Sequence, residues 1–221
     1  MELSFLAYKE SGKKIFILHS ILFFILVTFA QTRAALLGVT VIIFTYVLLS
    51  AKKIRAFTWR LTKYGLIVVY PNLEKFSWYP ELSRIVYNVT GKILMSGRNI
   101  IWADAVDLIK ESPLFGHGFG AFSKFNISPH NSYLGIGIQS GLFGLITVAL
   151  FINSIYNNMY KYRKDTIVKA CACFSAGNLV VCAFEVMLFQ GQLALSLLLW
   201  LIVAIGISKV LRMQGVRKIE I

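Results

Sequence analysis

The chain has 221 residues, 57% of them hydrophobic, a mean hydropathy of +0.68, and a formal net charge of +13 carried by only 15% charged residues. Soluble domains run nearer ~45–50% apolar, so this composition argues against an ordinary soluble enzyme and for a membrane protein. The excess of cations is then either a footprint for nucleic acid or a set of basic loops facing the cytoplasm, and its distribution along the chain decides which.

Met1 opens a short polar stretch without the features of a cleavable signal, because the apolar run behind it is too long and has no small-residue cleavage site before Gln31. That run is Ile15–Ala30, and Ala34–Ala51 follows it. A weaker run at about Phe57–Tyr70 is interrupted by Arg60 and Lys63. After a polar stretch from Pro71 to Asn131 come Tyr133–Ile152, Ile167–Phe189 and Leu193–Ser208. Each strong run has roughly 16–23 residues, near the ~20 that cross a bilayer as a helix.

Placing Lys13 and Lys14 inside brings the second helix back to Lys52, Lys53 and Arg55. Tyr133–Ile152 then leads to Lys161, Arg163 and Lys164, and Leu193–Ser208 to Lys209 and Arg212, which also belong inside. Parity demands one outward crossing between Arg55 and Tyr133, and Phe57–Tyr70 with snorkelling cations is the candidate. The expectation is an all-α integral membrane protein of about six transmembrane helices with one large extracytoplasmic loop containing an amphipathic helix. Helices one to three occupy residues 1–70, the loop 71–131, and helices four to six with a basic cytoplasmic tail 132–221. Most of the 23 Lys and Arg fall inside on this topology, so orientation accounts for the basicity and nucleic acid is not an expected partner.

Within the loop, SGRNIIWADAVDLIKESP reads as a helix capped by Ser96 and stopped by Pro113. Arg98, Ile101, Trp102, Ala105, Leu108 and Ile109 share one face, while Asp104, Asp107, Lys110 and Glu111 lie on the wet side. Arg98 therefore turns toward the protein, where it either meets an anionic partner or ligand or snorkels at the helix start. PLFGHGFGAF (Pro113–Phe122) carries G-x-G-x-G, which is neither a dinucleotide fingerprint nor a P-loop. Its glycines suit a tight turn that brings backbone close to the membrane helices or a ligand, and its amides could receive an oxyanion. His130 and Asn131 stand at the lip of the next helix, whose Gly137, Gly141 and Gly144 let a neighbour pack closely. His117 and His130 form the one conceivable zinc pair. No cysteine lies outside and the acids face the wrong way, so no metal is expected. Cys171, Cys173 and Cys182 sit together in an apolar run and read as small packing residues.

QTRAALLGV (Gln31–Val39), SGRNIIW (Ser96–Trp102), PLFGHGFGAF, and HNSYLGIGIQSGLFGL (His130–Leu145), in this order and spacing, resemble the bacterial O-antigen ligase and O-antigen polymerase family. The resemblance spans about Gln31 to Trp200. It implies an inverting glycosyltransferase without metal or other cofactor, in the bacterial cytoplasmic (inner) membrane with its active face extracytoplasmic. The implied donor is a glycan on undecaprenyl diphosphate, and the implied acceptor is a lipid-linked repeat or a lipid-A core. Two arginines and a histidine form the site in that family, and they fall on Arg33, Arg98 and His130; the topology read from charges puts all three outside. By that resemblance Arg33 and Arg98 hold the diphosphate and stabilise the leaving group, and His130 takes the proton of the acceptor hydroxyl. His117 is the substitute base, and Asn131 and Trp102 are candidate substrate contacts. Glu185, near the outer end of its apolar run, is either a substrate residue or a counter-charge for Arg33 or Arg98. Full members carry about a dozen helices, so the chain resembles their C-terminal half. A missing N-terminal half or partner subunit, or a non-catalytic place in the assembly machinery, is the alternative expectation.

Overall fold

A computed structural model describes residues 8, 11–29, 33–50, 77–91, 98–189 and 193–219, and among these every regular element is an α-helix. In chain order they are α1 (Ile15–Phe29), α2 (Arg33–Ser50), α3 (Tyr79–Thr90), α4 (Arg98–Glu111), α5 (Ala121–Lys124), α6 (Ser132–Lys161), α7 (Thr166–Val181) and α8 (Leu193–Ile219). By length and composition α6 and the Leu193–Gly215 part of α8 can cross a membrane, and α2 and α7 are shorter apolar helices. Large apolar side chains such as Val47, Leu150 and Leu201 are exposed on these helices, a surface that suits lipid and not water. The third expected crossing, at about 57–70, and the Ser96 cap lie outside the described residues.

The chain forms two compact units. The first contains α1, α2, α6 from Ile152 onward, α7 and α8. Its centre is α7, buried on most sides because it is built of small residues: Ala170, Cys171, Ala172, Cys173, Ser175, Ala176 and Gly177 are all buried. Asp165 starts this helix, its Oδ1 accepting from Ile167 N and Val168 N, both at 3.0 Å. α2 crosses α7 where Gly38 meets Gly177. A Cβ on Gly177 would stand 2.7 Å from the Gly38 carbonyl oxygen and 2.5 Å from Ile42 Cγ1. α8 packs through Gly206, where a Cβ would stand 2.6 Å from Met159 Cε and 2.8 Å from Cys171 Cβ. Small residues are what allow helices to approach this closely where lipid removes the usual hydrophobic drive.

The second unit contains α3, α4, α5, α6 up to Phe151, and the segment from Cys182 to Phe189. Ala105, Ala121 and Ile138 form its core, with Leu108, Ile109, Phe122, Phe125, Ile127 and Leu134 packed around them. The face of α4 is the one its periodicity predicts: Trp102 and Ala105 are buried, whereas Asp104, Asp107, Lys110 and Glu111 are exposed. α3 was not anticipated; Pro80 opens it and Gly91, at φ +66°, ends it by donating its N–H to the Tyr87 carbonyl.

Two expected elements are revised. The expected helix Tyr133–Ile152 runs from Ser132 to Lys161 but is broken at Gly141 (φ +60°, ψ −155°), a conformation open in practice to glycine alone. The expected run Ile167–Phe189 stops at Val181, so Cys182 and Glu185 lie in a turn and not in a helix. Tertiary hydrogen bonds to Ser132, described below, replace the helical ones there, and hydropathy does not register that exchange.

Gly177→Leu should therefore lower stability by about 1–3 kcal/mol through overpacking. Gly215→Leu, at a helical position with nothing within 4 Å of an added Cβ, should not. Thermal unfolding midpoints in detergent compare the two.

Candidate active site

Three ionisable side chains meet in the second unit. Glu185 Oε1 lies 3.4 Å from Arg98 Nη2 and Oε2 lies 3.7 Å from His130 Nδ1, so one carboxylate stands between guanidinium and imidazole. The Arg98 guanidinium also lies 5.8 Å from the centre of the Phe184 ring. Arg98 and Glu185 are partly exposed and the His130 side chain is half exposed, which leaves the cluster open to a ligand. Arg98 is the first residue of α4, on the face turned toward the protein as its spacing requires.

The backbone around His130 is built to present it. Trp102, buried on α4, donates its indole N–H to the Pro129 carbonyl at 2.8 Å and so ties that helix to the residue before His130. His130 itself is left-handed, at φ +44°, a conformation uncommon outside glycine. Asn131 then caps α6: its Oδ1 accepts from Tyr133 N at 2.9 Å and Leu134 N at 3.1 Å. Asn131 and Trp102 thus engage polar atoms in holding the backbone that carries the histidine.

Glu185 is held by Ser132, a residue the sequence reading passed over. The Ser132 hydroxyl donates to the Glu185 carbonyl at 2.7 Å and accepts from Met187 N and Leu188 N at 3.0 and 3.1 Å, while Ser132 N donates to the Cys182 carbonyl at 2.7 Å. One donor and two acceptors are the whole capacity of a hydroxyl. The available signal was the pair Asn131–Ser132: two residues able to cap a helix stand in succession, and one of them is free for tertiary work.

The glycine-rich loop docks into the break in α6. His117 N and Gly118 N donate to the Ile138 and Gln139 carbonyls at 2.8 and 2.9 Å, while Leu142 N and Phe143 N donate to the Pro113 and Leu114 carbonyls at 2.8 and 3.1 Å. Gly116, at φ +69°, has no room for a Cβ, which would fall 2.4 Å from the Gln139 carbonyl carbon. The expected close backbone approach is thus present, and α6 is what it approaches. His117 is not among the contacts of Glu185. Its Nε2 lies 2.8 Å from the Leu108 carbonyl and 3.9 Å from Glu111, and its ring packs edge-on against Phe125. Arg33 is the first residue of α2, and its side chain lies outside the described residues. No group of three or more His, Cys, Asp or Glu placed to hold a metal occurs among the described residues.

A cavity of about 290 Å³ has walls that include Ser132, Ile136, Phe143, Val148, Val186 and Phe189. It is mainly apolar, and Ser132 and Val186 join it to the turn that carries Glu185.

A family model described as O-antigen ligase matches residues 18–149, more than half of the chain. The match includes Arg33, Arg98, His117 and His130 and stops short of Glu185. No curated protein and no solved structure matches the chain.

Ser132→Ala should strand the Met187 and Leu188 amides and lower stability by about 1–3 kcal/mol. Ser123→Ala, at an exposed position of the same unit, should have little effect. Detergent melts of the two variants measure the difference.

Proposed function

Because this chain belongs to the O-antigen ligase family, we propose that it is a membrane glycosyltransferase of surface polysaccharide assembly that moves a glycan from undecaprenyl diphosphate to an acceptor hydroxyl. The observation that carries this reading is the placement of Glu185 between Arg98 and His130. Arg98 has five N–H donors and gives one to Glu185, which leaves most of its fork for phosphoryl oxygens. Arg33, at the start of α2, is the second cation proposed for the diphosphate.

In the reaction, the acceptor oxygen attacks the anomeric carbon from the face opposite the leaving group. The new C–O bond forms as the bond from that carbon to the phosphoryl oxygen breaks, and its electron pair leaves on the diphosphate, whose added charge the arginines stabilise. His130 accepts the hydroxyl proton. Glu185, facing Nδ1, favours the tautomer that carries its hydrogen there and keeps Nε2 free as the base. Inversion follows from a single displacement, and every charge change is met by side chains, without a metal. The apolar cavity beside Ser132 takes the first isoprene units of the carrier. We place the cluster on the extracytoplasmic face of the bacterial inner membrane, where lipid-linked glycans are assembled into polymer.

Arg98→Ala and His130→Ala should each reduce glycan transfer by roughly 100-fold or more, the usual contribution of a general base or a charge clamp. Arg98→Lys should retain part of the activity, since it keeps the charge but not the fork. Surface glycans from a deletion strain carrying each variant, resolved on a gel, give the readout. Accumulation of single repeats identifies a polymerase, and full-length polymer left on the carrier identifies a ligase. Unchanged ladders in both alanine variants would move the chain to a non-catalytic place in the machinery.

A further inference from the structure

We propose that the loop from Pro113 to Gly120 is a membrane anchor, its tip inserted at the boundary between headgroups and acyl chains, and that its partner is the lipid bilayer. Three observations, all within the second unit, carry this.

The first is the exposure of its side chains. Phe119 is 92% exposed, Phe115 72% and Leu114 58%. These side chains do not fold back on the core formed by Ala105, Ala121 and Ile138. Soluble loops rarely display three such residues in six positions, and an exposed apolar patch of this kind marks an interaction surface.

The second is continuity with a surface that belongs to lipid. The Phe115 ring lies 6.3 Å from that of Phe143, and Phe143 and Leu142 are themselves 66% and 50% exposed. They open the outward row of α6 that continues through Ile146 and Leu150 on a helix long and apolar enough to span a membrane. The loop meets α6 at Ile138–Phe143, on both sides of the Gly141 break. Leu142 to Phe151, which follow the break, are apolar apart from Thr147, so the loop borders an apolar stretch of α6.

The third is backbone satisfaction. Irregular backbone enters the apolar layer only when its polar groups are bonded within the protein. The Pro113 and Leu114 carbonyls and the His117 and Gly118 amides are bonded to α6, and Gly116 is bonded on both sides to Ser112. The loop thus presents side chains outward with much of its backbone already paired. Lys110, Glu111 and Lys124, all exposed on the flanking helices, mark how deep it can go, because their charges remain with the headgroups.

The test places a nitroxide label on Phe119→Cys in lipid vesicles and compares collision rates with oxygen, which concentrates in acyl chains, and with a water-soluble nickel chelate. Cys171, Cys173 and Cys182 are buried, so the introduced thiol is the reactive one. Leu150→Cys serves as the lipid reference, and Asp104→Cys and Lys124→Cys as references for water. The oxygen-to-nickel ratio at 119 should match that at 150 and exceed those at 104 and 124 several-fold. A ratio equal to that at 104 overturns the proposal. So does protection from both reagents with dipolar broadening, which would put a second copy of the chain on the loop. Phe119 has few neighbours to lose, so the substitution leaves the fold in place, and none of these readouts depends on the proposed glycosyl transfer.

Discussion

Between Ile138 and Phe143, α6 gives up two of its own hydrogen bonds and makes four with another segment. In an unbroken helix the carbonyls of Ile138 and Gln139 would accept from the amides of Leu142 and Phe143. Here the Gly141 backbone separates those partners, and Pro113–Gly118 supplies a donor for each carbonyl and an acceptor for each amide. The count of satisfied groups is preserved, which is the condition for breaking a helix away from water. Two glycines make the exchange sterically possible. Gly116 and Gly141 each place bare backbone where an added Cβ would lie about 2.4–2.5 Å from the other strand. That clamp fixes the C-terminal end of α4 against α6, while the Trp102–Pro129 hydrogen bond fixes the N-terminal half. Two attachments leave α4 little freedom to rotate, and Arg98 at its first residue inherits that constraint.

The charged cluster depends in turn on a division of labour at the start of α6. Asn131 satisfies the free amides of its own helix, whereas Ser132 spends its hydroxyl on the segment after α7. The carboxylate of Glu185 is therefore positioned through its own carbonyl. Partly buried acids are tolerated where opposite charge is near, and here the acid has a permanent cation on one oxygen and a titratable base on the other. Arg98 and Glu185 are not fully enclosed, so the pair avoids the larger desolvation penalty and can be opened by a competing anion.

Much of this was legible in the sequence. The apolar runs, the inward face of α4 with Arg98 on it and the close approach of the glycine loop could each be read from spacing and chemistry, whereas Glu185 was readable only as a substrate residue or a counter-charge for either Arg33 or Arg98. Each of these follows from local periodicity or from the penalty for an unpaired charge. What stayed hidden is non-local. The break at Gly141 lies inside a run of unbroken hydropathy, since glycine in a membrane helix reads as a packing notch. The end of α7 at Val181 is similarly masked: Cys182–Phe189 is as apolar as a helix and leaves the helix because Ser132, some fifty residues earlier, bonds its amides. His117 and His130 look equivalent in the chain, and their different surroundings, one against the Leu108 carbonyl and one against Glu185, come from tertiary structure.

The left-handed backbone of His130 has a consequence for anyone who mutates it. At φ +44°, an ordinary L-residue is strained by roughly 1–2 kcal/mol, while asparagine and glycine occupy that region more readily. Removing the imidazole with alanine therefore mixes two losses, a proton acceptor and a turn. Asparagine would keep the turn and remove the base. The residue preceding an N-cap is thus a place where shape and chemistry can be varied separately, and the difference between the two substitutions measures how much of the histidine's work is geometric.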